Sequence, residues 1–203
     1  RLSLVGSEMC IRDRYTFNKY AILYDLTYNK TEQAFIKSLE IAENLQPVDV
    51  SKKQSSLSLV MIVKNEGKHL EACLKTVQDI VDEIIILDSG STDDTKAIAL
   101  QYGAKWYVNE QWQGFGKQRQ LAQSYATCDY VLVLDADERL ENDLRHSIAM
   151  LLNEPLQTDR VFNVARVNQF CGVEVQKRIW YTDKLARLYA NSLFKYSNLD
   201  VHE

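Results

Sequence analysis

Short apolar runs alternate with amphipathic stretches along residues 57–168. Runs rich in β-branched residues and bounded by polar ones predict strands, whereas apolar positions three and four residues apart predict helices. The predicted strands are 58–63, 83–87, 105–108, 130–134 and 160–168, and the predicted helices are 67–77, 95–102, 116–126 and 142–152. Strands and helices that alternate at this spacing predict an α/β fold with a mostly parallel sheet flanked by helices and right-handed crossovers.

The residues before this pattern divide into two segments. Residues 1–14 match no element and resemble translated sequencing-adapter read-through, so they are treated as non-native and excluded from the fold. Residues 15–50 are expected to form a helical extension and linker. Asn29 and Glu32 have the spacing of a capping box, an apolar stripe runs from there to Pro47, and the aromatic-rich stretch before it is interpreted as another helix.

Composition narrows the class of protein. The chain has 203 residues, of which 46% are hydrophobic and 26% charged, as expected for one main globular domain. A net charge of −4 argues against a nucleic-acid partner. No apolar stretch approaches the ~18 residues that span a bilayer. Four scattered cysteines indicate buried thiols in a reducing compartment. We therefore expect a cytoplasmic protein, with peripheral contact to the inner face of the cell membrane as a further option.

A D-x-D motif, formed by Asp135 and Asp137, directly follows the apolar run at 130–134. Open α/β sheets bind ligands in the crevice at the carboxyl ends of their parallel strands, so both carboxylates are expected there. Two carboxylates spaced by one small residue can share a hard divalent cation with a diphosphate, an ordinary arrangement for Mg²⁺ or Mn²⁺ chemistry on nucleotides. An isolated pair would more simply cap the following helix, but its neighbours upstream favour a metal site.

Three other polar clusters close predicted strands on the same side of the sheet, at residues 64–66, 88–95 and 114–120. Asp88 is placed to accept hydrogen bonds from the base or ribose of a nucleotide, whereas Ser91 or Thr92 alone is more simply a helix cap. Lys117 and Arg119 lie at a helix start, where cation and helix dipole together suit a phosphate. A solvated basic turn explains these two residues equally well.

The motifs also combine along the chain. In order they read SLVMIVKNE at 58–66, ILDSGSTD at 86–93, GFGKQR at 114–119, LDADE at 134–138, WYTD at 180–183, RL at 187–188 and VHE at 201–203. This pattern resembles the GT-A-fold glycosyltransferases of family 2, especially the branch similar to lipopolysaccharide-core β-glucosyltransferases. The resemblance covers about residues 56–203 and implies a Rossmann-like GT-A domain over that range.

The resemblance implies an inverting sugar transfer from a nucleotide-diphosphate donor, expected to be a UDP-sugar, to a glycolipid or lipopolysaccharide-core acceptor. It assigns nucleotide-sugar binding to Val63, Asn65, Glu66, Asp88, Gly90, Lys117, Arg119 and Asp135. It makes Asp137 the principal ligand of Mn²⁺ or Mg²⁺, with Asp135 beside the metal and the ribose. A cation and basic side chains would stabilise the negative charge that grows on the departing diphosphate.

The acceptor side of the reaction falls in the C-terminal segment. Glu203 is the candidate base that takes the proton of the acceptor hydroxyl, with Asp200 as the fallback. Trp180, Tyr181 and Asp183 are assigned to the acceptor site, since aromatic faces stack on sugars, although core packing explains the two aromatic residues equally well. Relatives of this kind usually continue with C-terminal helices. A truncated, inactive fragment that binds donor is therefore an alternative.

Two other enzyme classes are weaker alternatives. Haloacid-dehalogenase-type phosphatases also carry a D-x-D after a strand, but theirs follows the first strand of the domain, and here the motif follows the fourth predicted strand. A dinucleotide-dependent oxidoreductase requires G-x-G-x-x-G, which the DSGS segment at 88–91 does not provide. Phosphate release from a phosphomonoester would indicate the phosphatase, and turnover of a donor sugar would indicate the glycosyltransferase.

Overall fold

The computed structural model describes residues 15–16, 22–25, 45–166, 169–170, 173–174, 183–193 and 195–196. The strands in these ranges are β1 (Tyr15–Thr16), β2 (Ile22–Asp25), β3 (Leu57–Val63), β4 (Glu83–Asp88), β5 (Lys105–Val108), β6 (Tyr130–Val133), β7 (Arg160–Arg166), β8 (Gln169–Phe170), β9 (Val173–Glu174), β10 (Asp183–Ala190) and β11 (Lys195–Tyr196). The helices are α1 (Leu70–Lys75), α2 (Thr95–Gln101), α3 (Phe115–Gln123) and α4 (Asn142–Leu152). None of these described helices is both long and apolar enough to cross a bilayer.

Seven of the described strands form one sheet in the order β2-β7-β10-β6-β3-β4-β5. Strand β10 runs antiparallel to β6 and β7, and every other described pair in this sheet is parallel. The predicted α/β fold with a mostly parallel sheet is therefore confirmed. Because β3, β4, β5 and β6 are mutually parallel, their carboxyl ends lie along the same edge.

The central strands are buried on both faces, as parallel strands with near-continuous apolar sequences usually are. All residues of β4 and β6 are buried, and in β3 only Ile62 is partly exposed. Successive side chains of a strand point to opposite faces. Accordingly, Leu59 and Met61 pack in the cluster that includes Leu74 of α1, and Val60 packs in the cluster that includes Ala122 of α3. The helices thus cover both faces of the sheet, so a functional site is expected at the ends of the strands.

The described part of the N-terminal extension is not helical, so that part of the prediction was wrong. Residues 22–25 form β2, which pairs in parallel with β7, and residues 15–16 pair with β11. The apolar Ile-Leu-Tyr sequence at 22–24 suits a pleated surface, and the outer edge of β7 offers backbone groups that this strand satisfies. The predicted capping-box helix and residues 1–14 lie outside the described residues.

Candidate active site

A cavity of about 650 Å³ opens at the carboxyl ends of the parallel strands. Its lining residues are Ile62, Val63, Lys64, Glu66, Ser89, Glu110, Trp112, Phe115, Arg119, Asp135, Ala136, Asp137 and Arg166. Each of the four polar clusters identified in the sequence contributes to this lining. The clusters therefore meet at one edge of the sheet, as the doubly wound pattern predicts.

The turn after β3 is held against the loop after β4. Asn65 has a φ of 57°, in the left-handed region that asparagine tolerates better than most residues. Its N–H donates to Ser91 Oγ at 2.8 Å, and its side-chain oxygen accepts the N–H of Thr92 at 2.8 Å. Ser91 and Thr92 therefore join two loops instead of capping a helix. Glu66 lines the cavity and Asn65 does not, so Asn65 contributes by shaping the turn.

Asp88 lies buried at the end of β4, and its own loop surrounds its carboxylate. The carboxylate accepts the N–H of Gly90 at 3.1 Å and the N–H of Ser91 at 2.9 Å, together with the hydroxyl of Ser91. Gly90 has a φ of 92°, a conformation that the absence of a Cβ makes accessible. Ser89 lines the cavity, and Asp88 and Gly90 do not. The assignment of Asp88 to the nucleoside stays a prediction.

Lys117 and Arg119 have different environments although both lie in the first turns of α3. Two helical residues that are two positions apart point in nearly opposite directions, because each residue turns the helix by about 100°. Arg119 is buried and lines the cavity, whereas Lys117 is exposed and is not part of the lining. The Arg119 guanidinium donates to Asp135 Oδ1 at 2.8 Å and lies 5.3 Å from the ring centroid of Tyr196. Of these two residues, the structure thus brings only Arg119 to the D-x-D motif.

Two carboxylates and three arginines form a charged network beside the cavity. Arg187 donates to Asp135 Oδ2 at 3.1 Å and to Glu138 Oε1 at 3.0 Å, and Arg166 lies 3.7 Å from Glu138 Oε1. Burial alone would raise the pKa of Asp135, but the charges of Arg119 and Arg187 outweigh it and hold that pKa well below its usual range. Burial raises the pKa of Glu138 to about 7 despite the nearby Arg187. Of the two carboxylates, Asp135 is therefore the one whose ionised form this environment favours.

Asp137 differs from Asp135 in its availability to a ligand. Within the described residues its carboxylate, exposed at the cavity, accepts no hydrogen bond and makes no ion pair. The pKa of Glu66 is raised by burial and next by the negative charge of Asp137, so these two carboxylates lie close enough to repel each other. A divalent cation between them would relieve that repulsion.

The donor set fits a cation that also takes ligands from its substrate. The described residues contain no cluster of three or more His, Cys, Asp or Glu side chains that could hold an ion alone. Mg²⁺ is commonly bound through one or two carboxylates plus phosphate oxygens and water. Asp137, with Glu66 nearby, matches this type of site, and the arginine-bound oxygens of Asp135 make it the less available of the D-x-D pair.

The predicted acceptor and base residues are mostly beyond the described part of the chain. Trp180, Tyr181, Asp200 and Glu203 lie outside the described residues, so their assignments stay predictions. Asp183 is the first residue of β10, and its backbone pairs with that of Arg166.

The segment from β5 into the start of α3 forms a wall of the cavity, of which the sequence patterns identified Phe115, in the 114–120 cluster, but not Glu110 or Trp112. Trp112 and Phe115 pack edge to face with ring centroids 4.7 Å apart, and Glu110 lies next to them along the chain. Trp112 could have been identified from the sequence, because a tryptophan within a polar loop often indicates a binding surface. No sequence pattern identified Arg166 as a lining residue, because its position at the cavity depends on the pairing of β7 with β10, which are distant in the sequence.

The family model described as Glycosyl transferase family 2 matches residues 58–196, which is more than half of the chain. The chain belongs to glycosyl transferase family 2. The matched range contains the whole described lining of the cavity, from Ile62 to Arg166.

Curated relatives agree with this membership. An uncharacterized glycosyltransferase of Rickettsia prowazekii is 31% identical over 144 residues, which cover 70% of this chain and 49% of the relative. The lipopolysaccharide core biosynthesis glycosyltransferase LpsC of Rhizobium meliloti is 37% identical over 100 residues, which cover 47% of this chain and 37% of LpsC. The chain thus spans less than two thirds of the length of each.

Among solved structures, the chain is similar to glucosyl-3-phosphoglycerate synthase from Mycobacterium tuberculosis in complex with Mn²⁺, UDP and glucosyl-3-phosphoglycerate. The sequence identity is 31%, the match covers 41% of this chain and 34% of that chain, and the TM-score is 0.35.

Proposed function

We propose that this family 2 domain is the donor-binding catalytic domain of an inverting glycosyltransferase that uses a UDP-sugar and Mn²⁺ or Mg²⁺. The observation that carries the proposal is a single cavity, at the carboxyl ends of parallel strands, lined by the available carboxylate of Asp137 and the buried guanidinium of Arg119. A carboxylate suits the divalent cation, and a guanidinium suits the phosphate oxygens, of a metal-bound nucleoside diphosphate. Val63, Ser89 and the Trp112–Phe115 wall supply less polar surface for the rest of the donor.

The charged network suits departure of the diphosphate. Negative charge grows on the leaving group in the transition state, and preorganised positive groups stabilise it there more than in the ground state. Arg119 and Arg166 both line the cavity, and Asp135 holds Arg119 in place through a 2.8 Å hydrogen bond. When bound, a divalent cation would add further neutralisation of the diphosphate charge. Asp135 thus acts in this proposal mainly by orienting arginines.

The acceptor in this proposal is a glycolipid or a lipopolysaccharide core. The name of LpsC and its 37% identity over 100 residues support that acceptor class. Glu203, with Asp200 as the alternative, takes the proton of the attacking hydroxyl. Inversion follows when that hydroxyl attacks the sugar from the face opposite the diphosphate.

We further propose that the protein works in the cytoplasm against the inner face of the cell membrane, where a lipid-linked acceptor would be met. The free thiols of Cys73 and Cys128 accord with a reducing compartment. The net charge of −4 supports the expectation that nucleic acid is not a partner.

The test is release of UDP from UDP-glucose and other UDP-sugars in the presence of Mn²⁺ and a lipopolysaccharide-core acceptor. The wild-type protein should release UDP. Asp137→Ala should abolish release with its thermal unfolding midpoint kept, because that side chain makes no bond within the described structure. The control Asp143→Ala, an exposed position on α4, should retain wild-type release.

Three other results would contradict parts of the proposal. Full activity of Asp137→Ala with Mn²⁺ would exclude the metal assignment. Metal-dependent UDP binding without UDP release would favour the donor-binding fragment over the active enzyme. Release of phosphate from a phosphomonoester, with no turnover of any UDP-sugar, would favour a phosphatase.

A further inference from the structure

Arg139 follows the D-x-D motif and is fully buried, yet in the described structure no carboxylate lies within ion-pairing distance of it. Its guanidinium instead donates to main-chain carbonyls. Nη1 donates to the carbonyl of Ala136 at 2.8 Å and to that of Glu138 at 2.7 Å, and Nη2 donates to the carbonyl of His69 at 2.8 Å. Burial of an arginine is costly unless such bonds compensate it, so this position is not simple core filling.

The carbonyls that Arg139 binds lie on both sides of Asp137 and at the start of α1. The N–H of His69 in turn donates to the carbonyl of Glu66 at 2.9 Å. One guanidinium therefore joins the loop that carries Asp137 to the turn that carries Glu66. Both of those carboxylates line the cavity.

We propose that Arg139 is a positioning residue that fixes the main chain around Asp137 and thereby sets its separation from Glu66 for binding a divalent cation. The inference rests on the proposed function, because it concerns the metal that would accompany the donor. The planar fork of an arginine can hold several carbonyls in one fixed arrangement, whereas the ammonium of a lysine is a flexible point charge. Arg139→Lys therefore keeps the positive charge but removes the planar arrangement of donors that binds the three carbonyls.

Arg145 on α4 provides a matched control. It is equally buried, donates to the carbonyl of Gln46 at 2.7 Å and to Asn142 Oδ1 at 3.1 Å, and pairs with Asp79. None of these partners lines the cavity. Arg145→Lys thus disrupts a buried arginine of comparable connectivity without touching the cavity.

The experiment measures Mn²⁺ affinity by the loss of the free-ion electron paramagnetic resonance signal at saturating UDP, relative to the same titration without protein, because UDP itself binds Mn²⁺. Calorimetric UDP binding without metal is measured beside it. Arg139→Lys should weaken Mn²⁺ binding roughly 10- to 100-fold, the usual scale for partners that orient a metal ligand. Metal-free UDP affinity should stay unchanged. Arg145→Lys should lower the thermal unfolding midpoint and leave Mn²⁺ affinity at the wild-type value.

Wild-type Mn²⁺ affinity in Arg139→Lys, or an equal loss in Arg145→Lys, would overturn the inference. If Arg139→Lys does not fold, Arg139→Gln replaces it, since its amide retains donors for one carbonyl, and the same loss is expected. If the wild-type protein itself binds no Mn²⁺ with UDP, the proposed function fails first and this inference fails with it. That result is distinguishable from failure of the inference alone, in which the wild type binds Mn²⁺ with UDP and Arg139→Lys binds it equally well.

Discussion

Glu83 should make the stability of the domain depend strongly on pH in the acid range. This buried residue begins β4 and accepts hydrogen bonds from Ser58 Oγ at 2.6 Å, from the N–H of Thr127 at 2.8 Å, and from Lys105. Burial alone would raise the pKa of Glu83, but these bonds outweigh it and lower that pKa to about 2. The carboxylate thereby connects β3 and β5 with the segment before β6.

The size of this pH effect on stability follows from the linkage between proton binding by Glu83 and folding. An unfolded glutamate has a pKa of about 4.3. A folded value of about 2 therefore corresponds to roughly 3 kcal/mol of folding free energy, at about 1.4 kcal/mol per pKa unit. Because the folded pKa is depressed, this stability is fully present above the unfolded pKa. It is lost as the pH falls from about 5 through the folded pKa.

The assay is urea unfolding of the wild type and of Glu83→Gln between pH 7 and pH 2. The variant should be less stable by roughly 3 kcal/mol at pH 7, and the difference should shrink towards zero near pH 2. The control Glu71→Gln removes an exposed ion pair with Lys75 within α1 and should change stability by at most about 0.5 kcal/mol at any pH. Parallel stability curves for the wild type and Glu83→Gln across this range would show that the pKa of Glu83 is not lowered by folding.

Two further predictions concern the site. Asp135→Asn should weaken UDP binding both with and without metal, measured by calorimetry, because Arg119 and Arg187 lose the charge that orients them; unchanged metal-free binding would contradict this role. Glu203→Gln should spare UDP binding and lower sugar transfer by on the order of 10²-fold or more, the usual scale for loss of a general base. An unaffected transfer rate would place the base elsewhere.

The central sheet was predictable because local sequence and burial agree there. The apolar runs that form β3, β4 and β6 are too short for buried helices and lie at regular intervals between amphipathic segments, so each indicates its own element. Strand β5 and helix α4 have the predicted bounds, 105–108 and 142–152. The convergence of the polar clusters then follows from parallel strand direction alone.

The N-terminal extension and parts of the site were less predictable from the sequence, because they depend on contacts between distant segments. Residues 22–25 gain their strand conformation from the edge of β7, which no local pattern reveals. Arg187 reaches Asp135 because β10 inserts antiparallel between β6 and β7. The separate environments of Lys117 and Arg119, by contrast, follow from helix periodicity and were available in the sequence.

The proposed donor site can be tested by calorimetric titration of the protein with UDP, with and without Mn²⁺, using GDP and ADP as controls. UDP should bind, and Mn²⁺ should strengthen this binding in the wild type but not in Asp137→Ala. Absence of binding by all three diphosphates, or UDP binding that is indifferent to Mn²⁺ in the wild type, would contradict the donor site proposed for this cavity.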